Sequence, residues 1–313
     1  QGGRSSWVHY GVMVPNLPAP HNSFGIMSII GTPGVEVFAN DQAITTNPRD
    51  TAYAVSATDA MTGGQFNSYS IARECQLAPD GSRIKLGSEI LIEGEYPDFR
   101  VRRWHPEATV DLNLKASDKI THFFAVRAGL YRHWSLLCEY TGTINGETQS
   151  GLCTFEYAHG AGVHSIPHGL RLNLPSKFFM YHVLNLDADH QIVFGQAQGP
   201  GGIDVIRSAS LRQLQHPAVQ YQNIEFTVTE WSTKAAITAA GATMRTPERI
   251  NWVVRDDNGD VITQIIGEPT NSWAPGLGAG VVGSYIYTGA FRGTEISGSA
   301  YLEWVDLRPG SSY

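Results

Sequence analysis

The chain has 313 residues, 42% hydrophobic and 16% charged, with a formal net charge of −7. That length fits about two domains, and the composition excludes wholesale disorder. The acidic balance, with one short basic knot, does not offer the clustered lysine and arginine of sequence-independent nucleic-acid binding, and no apolar run approaches the roughly 20 residues of a membrane-spanning helix.

Taken in chain order, the predicted elements are nearly all strands. The chain opens on Gln1 rather than methionine, which implies a trimmed start and keeps a removed signal peptide open. Short β-branched and aromatic runs then recur between Gly, Pro, Asn and Asp clusters: SFGIMSIIG (23–31), SEILIEGEY (88–96), ATVDLNLKA (108–116) and HFFAVRAGLY (122–131). A basic knot of Arg100, Arg102 and Arg103 beside Glu93, Glu95 and Asp98 reads as salt-bridged surface. Asn145-Gly146 is a strong hairpin signal, because type I′ turns need positive φ at both central residues. That turn sets Ile144 against Glu147 and Cys138 against Cys153. Trp134, Leu136, Cys138 and Tyr140 then share one face with Cys153, Phe155 and Tyr157, and His133, Ser135, Glu139 and Glu156 share the other. Gly and Pro punctuate residues 159–169, which read as a linker.

Beyond the linker the pattern resumes with HQIVFGQAQ (190–198), IEFTVTEWS (224–232) and INWVVRDDNGDVITQII (250–266), where Asn258-Gly259 marks another hairpin. Gly195–Asp204 reads as a loop or lid, and KAAITAAGA (234–242) as a strand or single turn. Gly278-Ala279-Gly280-Val281-Val282-Gly283 matches a dinucleotide fingerprint, but a strand follows where the helix N-terminus would have to receive the pyrophosphate. Phosphate-loop, nucleophile-elbow and zinc-protease motifs are missing, which dismisses those familiar machines. Three cysteines without a CxxC spacing fit buried thiols in a reducing compartment, and so a cytoplasmic location.

A self-match organises the chain. Residues 140–158, YTGTINGETQSGLCTFEYA, align without a gap to residues 287–305, YTGAFRGTEISGSAYLEWV. Tyr140/Tyr287, Gly142/Gly289, Gly146/Gly293, Gly151/Gly298 and Glu156/Glu303 are among the identities. The offset of 147 is near half the chain length, which points to internal duplication of an antiparallel β-barrel: one domain over 1–160 and a second over 170–313.

His133, with Glu139 and Glu156 on its face, is the candidate proton-transfer group, because burial and charge pairing tune such groups to work at neutral pH. The alternative is that this face is solvated, or that Glu156 and Glu303 are structural partners of an arginine. Tyr131, Trp134, Tyr157 and Trp252 are candidate cavity walls for an apolar ligand, and His21 a candidate at its mouth. His159, His164 and His168 have a spacing that could take a metal, but read as polar linker groups, so no metal is expected.

Two tandem barrels with terminal G…SG…E-aromatic hairpins resemble the AttH-like tandem lipocalin superfamily, which includes carotenoid 1,2-hydratases and lipocalin-like Diels-Alderases. WVHYGVMVPNLPAPHNSFGIMSIIGTPG (7–34) and HWSLLCEYTG (133–142) look like an uncharacterised bacterial branch of it. The resemblance implies lipocalin-like (calycin) barrels, a hydrophobic pocket in or between them, and chemistry without a cofactor. The expected function is therefore hydration or dehydration, isomerisation or cyclisation of an isoprenoid, polyketide or similar molecule. The alternatives are a non-catalytic carrier of such a ligand, or a structural domain whose barrels are filled by their own side chains.

Overall fold

The computed structural model describes residues 7–61, 64–126, 131–161 and 176–308. Strands of the first half are β1 (Trp7–Val14), β2 (Phe24–Gly31), β3 (Thr51–Thr58), β4 (Gln65–Ser70), β5 (Cys75–Leu77) and β6 (Arg83–Leu86). They continue with β7 (Ile90–Glu95), β8 (Asp98–Arg103), β9 (Val110–Val126), β10 (Tyr131–Ile144) and β11 (Glu147–Gly160). The second half holds β12 (Phe178–Asn185), β13 (His190–Gln198), β14 (Asp204–Gln213), β15 (His216–Tyr221) and β16 (Asn223–Trp231). After the short pair β17 (Ala236–Ile237) and β18 (Thr243–Met244) come β19 (Pro247–Arg255), β20 (Val261–Pro269), β21 (Ala274–Pro275), β22 (Val281–Phe291) and β23 (Thr294–Asp306).

The first sheet runs β4-β3-β2-β1-β11-β10-β9-β8-β7-β6-β5, and the second β15-β14-β13-β12-β23-β22-β20-β19-β16, all antiparallel. In each half the opening strand pairs with the closing one, and the repeated hairpins, β10–β11 and β22–β23, fill equivalent places. Where two full barrels are expected, the sheets curl into a nearly closed barrel and a half-barrel. Among the described residues no helix is long and apolar enough to cross a membrane.

The repeat's identities have local causes. Asn145 and Gly146 take φ of 50° and 82°, and Arg292 and Gly293 take 49° and 81°, the left-handed pair a tight hairpin demands. A Cβ on Gly142 would lie 2.1 Å from the Asp111 carbonyl oxygen, and one on Gly289 2.0 Å from that of Gln264, so the neighbouring strand excludes any side chain at both. Tyr140 and Tyr287 sit directly opposite Gly151 and Gly298, their rings covering the bare backbone. Cys138 faces Cys153 and Ile144 faces Glu147, as the turn dictates. Asn258-Gly259 instead lies in a longer loop, with the Asp256 amide donating to the Asp260 carbonyl.

Alternation sorts side chains into three cores. Val12, Phe24, Ile26, Ala52 and Phe155 fill the first sheet's concave side; Met180, Phe194, Trp252, Tyr285 and Trp304 fill the second's. The odd-numbered Met13, Met27, Ile29, Tyr53 and Val55 meet Tyr181, Val183, Val193 and Tyr301 between the sheets. All eight residues of β2 are consequently buried, each large apolar side chain contributing about 1.5–3 kcal/mol. Buried Arg212 on β14 crosses this seam, donating to Ser135 Oγ at 2.6 Å and Thr154 Oγ1 at 2.5 Å.

The glycine run near residue 280 also serves the seam. Asn40 Nδ2 donates to the Leu277 carbonyl at 2.7 Å and the Ala279 amide to the Val37 carbonyl at 3.1 Å. A Cβ on Gly278 would stand 1.9 Å from Val37 O. These glycines allow backbone to meet backbone across the two halves.

Candidate functional site

His9 on β1 and His133 on β10 both pair with Ala158 on β11, one from each side. Three adjacent strands thus place two imidazoles on one rung, separated by a methyl group. Glu156, two residues back along β11, points to the same face. The rings lie 6.1 Å apart. His133 Nε2 is 3.4 Å and His9 Nε2 3.8 Å from Glu156 Oε2, while Tyr181 Oη donates to Oε1. On their far sides, His9 Nδ1 lies 2.9 Å from the Ser28 carbonyl and His133 Nδ1 3.2 Å from Tyr131 Oη. A carbonyl only accepts, so His9 carries its proton on Nδ1 and, when neutral, turns a lone pair toward Glu156.

Glu156 is 2% exposed. Burial raises its pKa, but hydrogen bonds and charge from His133 and His9 outweigh that and pull it down to about 2. Its duplicate Glu303, 8% exposed on β23, faces the same space from the other half. Burial and then the Glu156 charge push Glu303 up to about 8, against a hydrogen bond from Tyr301 Oη. At neutral pH one duplicated glutamate is ionised and the other neutral. Among the described residues neither forms an ion pair with arginine, although the Glu156 charge acts to raise the pKa of buried Arg212. Both line a cavity of about 30 Å³ walled by Trp7, Met27, Ile29, Phe38, Phe179 and Leu277, room for about two waters.

The sequence-derived candidates separate. His133, Glu156 and Tyr131 come together, but between the sheets rather than inside a barrel. Glu139 is exposed, opposite Lys115 and Leu152, and about 20 Å along the strand from His133. It shares the parity of His133 but lies beyond the seam. Trp134 and Tyr157, opposite one another, face the concave side of the first sheet, with Tyr10, Phe99 and Phe155, lining a cavity of about 990 Å³. Trp252 is stacked on Phe194 with centroids 4.0 Å apart in the second core and lines neither space. His21 contacts Thr58 Oγ1 at 3.0 Å beside a shallow hollow near Asn145, away from the cluster. His159 lines the first sheet's hollow; His164 and His168 lie outside the described residues.

Sequence reasoning missed His9, Tyr181 and Glu303. The Glu156/Glu303 identity was the available signal for the last; His9 joins through a strand pairing with Ala158, and Tyr181 through a hydrogen bond to Glu156, 25 residues away in sequence. The donor atoms of His9, His133 and Glu156 lie within 4.8 Å of one another, a set able to hold a metal ion.

Among solved structures, the fold is shared with an AttH candidate from Nitrosomonas europaea, 12% identical with a TM-score of 0.58, covering 96% of this chain and 93% of that one. Kievitone hydratase from Nectria haematococca is 11% identical with a TM-score of 0.57, over 96% and 89%. CghA bound to Sch210972 is 9% identical with a TM-score of 0.51, over 97% and 89%. These likenesses establish the lipocalin-like architecture. No curated protein matches the chain in sequence. The model of a family of unknown function, DUF6670, matches residues 27–312, and the chain belongs to that family.

Proposed function

We propose that the chain is an enzyme that moves a proton on a hydrophobic small molecule, by hydration or dehydration, isomerisation or cyclisation, without a cofactor. The observation that carries this reading is the buried His133–Glu156 pair opening on an apolar-walled cavity. In water the pair would be worth little. In the buried seam Glu156 Oε2 stands 3.4 Å from His133 Nε2, a geometry that lets the imidazole lend and retrieve a proton beside a fixed carboxylate. Glu156 holds the ring; His133 shuttles. In a cyclisation, the walls would act mainly by holding one reactive conformer. The space holds about two waters, so a larger substrate enters as Phe38, at the end of the 3-10 turn Glu36–Phe38, and Leu277, on a connecting loop, give way. That two structural relatives are a hydratase and CghA, a lipocalin-like Diels-Alderase, supports chemistry of this kind on the fold.

A second reading, a carrier, is favoured by the 990 Å³ hollow with Trp134 and Tyr157, a size that suits a small ligand. Native mass spectrometry of the protein from its own host identifies the molecule that co-purifies. Incubation of that molecule in D2O should then give deuterium incorporation, and in H2O an 18 Da gain or loss where water is added or removed, both abolished in a folded His133→Ala variant. Binding without turnover supports the carrier, and turnover unchanged in His133→Ala removes the named site.

A further inference from the structure

We propose that His9, His133 and Glu156 form a binding site for a divalent transition metal of the zinc class, and that this metal and the shuttled proton compete for His133 Nε2. The inference goes beyond the acid–base reading, because it concerns what else the same nitrogen can hold.

Geometry is the first argument. Zinc binds nitrogen and carboxylate oxygen at about 2.0–2.2 Å, which in a tetrahedron separates ligand atoms by ~3.4 Å. The two imidazole-to-carboxylate separations are 3.4 and 3.8 Å, and all three donor atoms fall within 4.8 Å. Small side-chain rotations close the set without moving backbone. Rigidity is the second: the donors stand on three hydrogen-bonded neighbours, β1, β11 and β10, with both histidines on the Ala158 rung. A larger side chain at 158 would wedge between the rings.

The outer contacts are the third argument. A metal-binding imidazole usually gives its other N–H to a carbonyl, carboxylate or water, which fixes the tautomer. His9 does this with Ser28 O at 2.9 Å, leaving its Nε2 lone pair aimed at Glu156 Oε2. Two acceptors facing each other in a buried site repel unless a cation stands between them. A proton meets that need when His9 is imidazolium; a metal ion meets it for both rings at once. Tyr131 Oη provides the matching contact at His133 Nδ1, and the Tyr181 hydroxyl occupies Glu156 Oε1, leaving Oε2 for the ion. The adjoining 30 Å³ leaves room for the fourth ligand, a water. Two nitrogens and one oxygen suit zinc, cobalt or iron rather than calcium or magnesium. A lone pair accepts one partner: with metal on Nε2, His133 no longer shuttles.

The test uses the full chain after chelator treatment, with Zn2+ added in a calorimeter and Co2+ followed by visible absorption, at pH 7.5. We expect one ion per chain and an intense tetrahedral Co2+ spectrum. His9→Ala and Glu156→Gln should each weaken binding at least 100-fold, while His216→Ala, an exposed histidine on β15, should leave it unchanged. In the unmutated protein, the nitrogen resonances of two histidines should shift at one equivalent of Zn2+, a readout that needs no variant to fold. Absence of saturable binding, or binding indifferent to His9 and Glu156, overturns the inference. Turnover in D2O separates the two readings: metal-free turnover with no zinc binding refutes only the metal site, whereas zinc binding without turnover in either form refutes only the enzyme.

Discussion

Replacing Glu303 with glutamine should make the protein more stable in mild alkali and change little in mild acid. Glu303 is buried against an ionised Glu156, and its pKa stands at about 8 against the ordinary 4.5. A carboxyl raised in the fold stays protonated there while the unfolded chain ionises. Its contribution is therefore intact below pH 4.5 and is lost progressively as pH rises through 8. At about 1.4 kcal/mol per pH unit, the loss between pH 5 and pH 8.5 comes to about 4 kcal/mol. Glutamine keeps the shape and the oxygen that accepts from Tyr301, but cannot ionise. Urea unfolding of chelator-treated wild type and Glu303→Gln at both pH values measures the effect. Every other titrating group is common to the two chains and cancels in the difference. A stability difference equal at pH 5 and pH 8.5 would refute the reasoning, since Glu303 would then be charged in the fold or exposed in it.

Two further outcomes test the frame around the site. Arg292→Asn should stabilise the fold by about 0.5–1 kcal/mol, read as a higher urea midpoint, because Arg292 holds a φ of 49° that asparagine adopts more readily, as Asn145 does in the duplicate turn; no gain would mean that the Arg292 contact with the Phe291 ring outweighs the strain. His182 is buried among Phe194, Phe226 and Trp252, and burial lowers its pKa from 6.5 to about 3. The unfolded chain gains that proton first, so stability falls from pH 6.5 downward, by up to about 5 kcal/mol. His182→Phe should accordingly unfold at lower pH in a fluorescence-monitored acid titration, and an unchanged acid midpoint would count against it.

Much of the fold was legible because its determinants are local. Asn145-Gly146 fixes a two-residue turn, the turn fixes register, and register assigns Trp134 and His133 to opposite faces. The glycine and tyrosine identities of the self-match have steric causes that act within one hairpin. Local rules stop where a second sheet begins. Parity puts Glu139 on the His133 face, but does not tell how far along the strand the seam extends. Nor does it say that both faces are buried, so a solvated face stays open as the alternative for Glu156, which lies in a core. Trp252 shows the same limit: an aromatic residue on a strand reads alike as ligand wall and as packing. His9 joins the cluster only because the opening strand closes against β11, a pairing about 150 residues away in sequence.

The seam also governs what the duplication can be. Each half offers the other an apolar face, Met27, Tyr53 and Val55 against Tyr181, Val193 and Tyr301, stitched by Arg212 and by glycine backbone at 278. Neither copy has a wet side there to fall back on. Severed from its twin, either would present oily strands to water and seek any substitute. Each copy of the repeat thus serves as the other's dry wall.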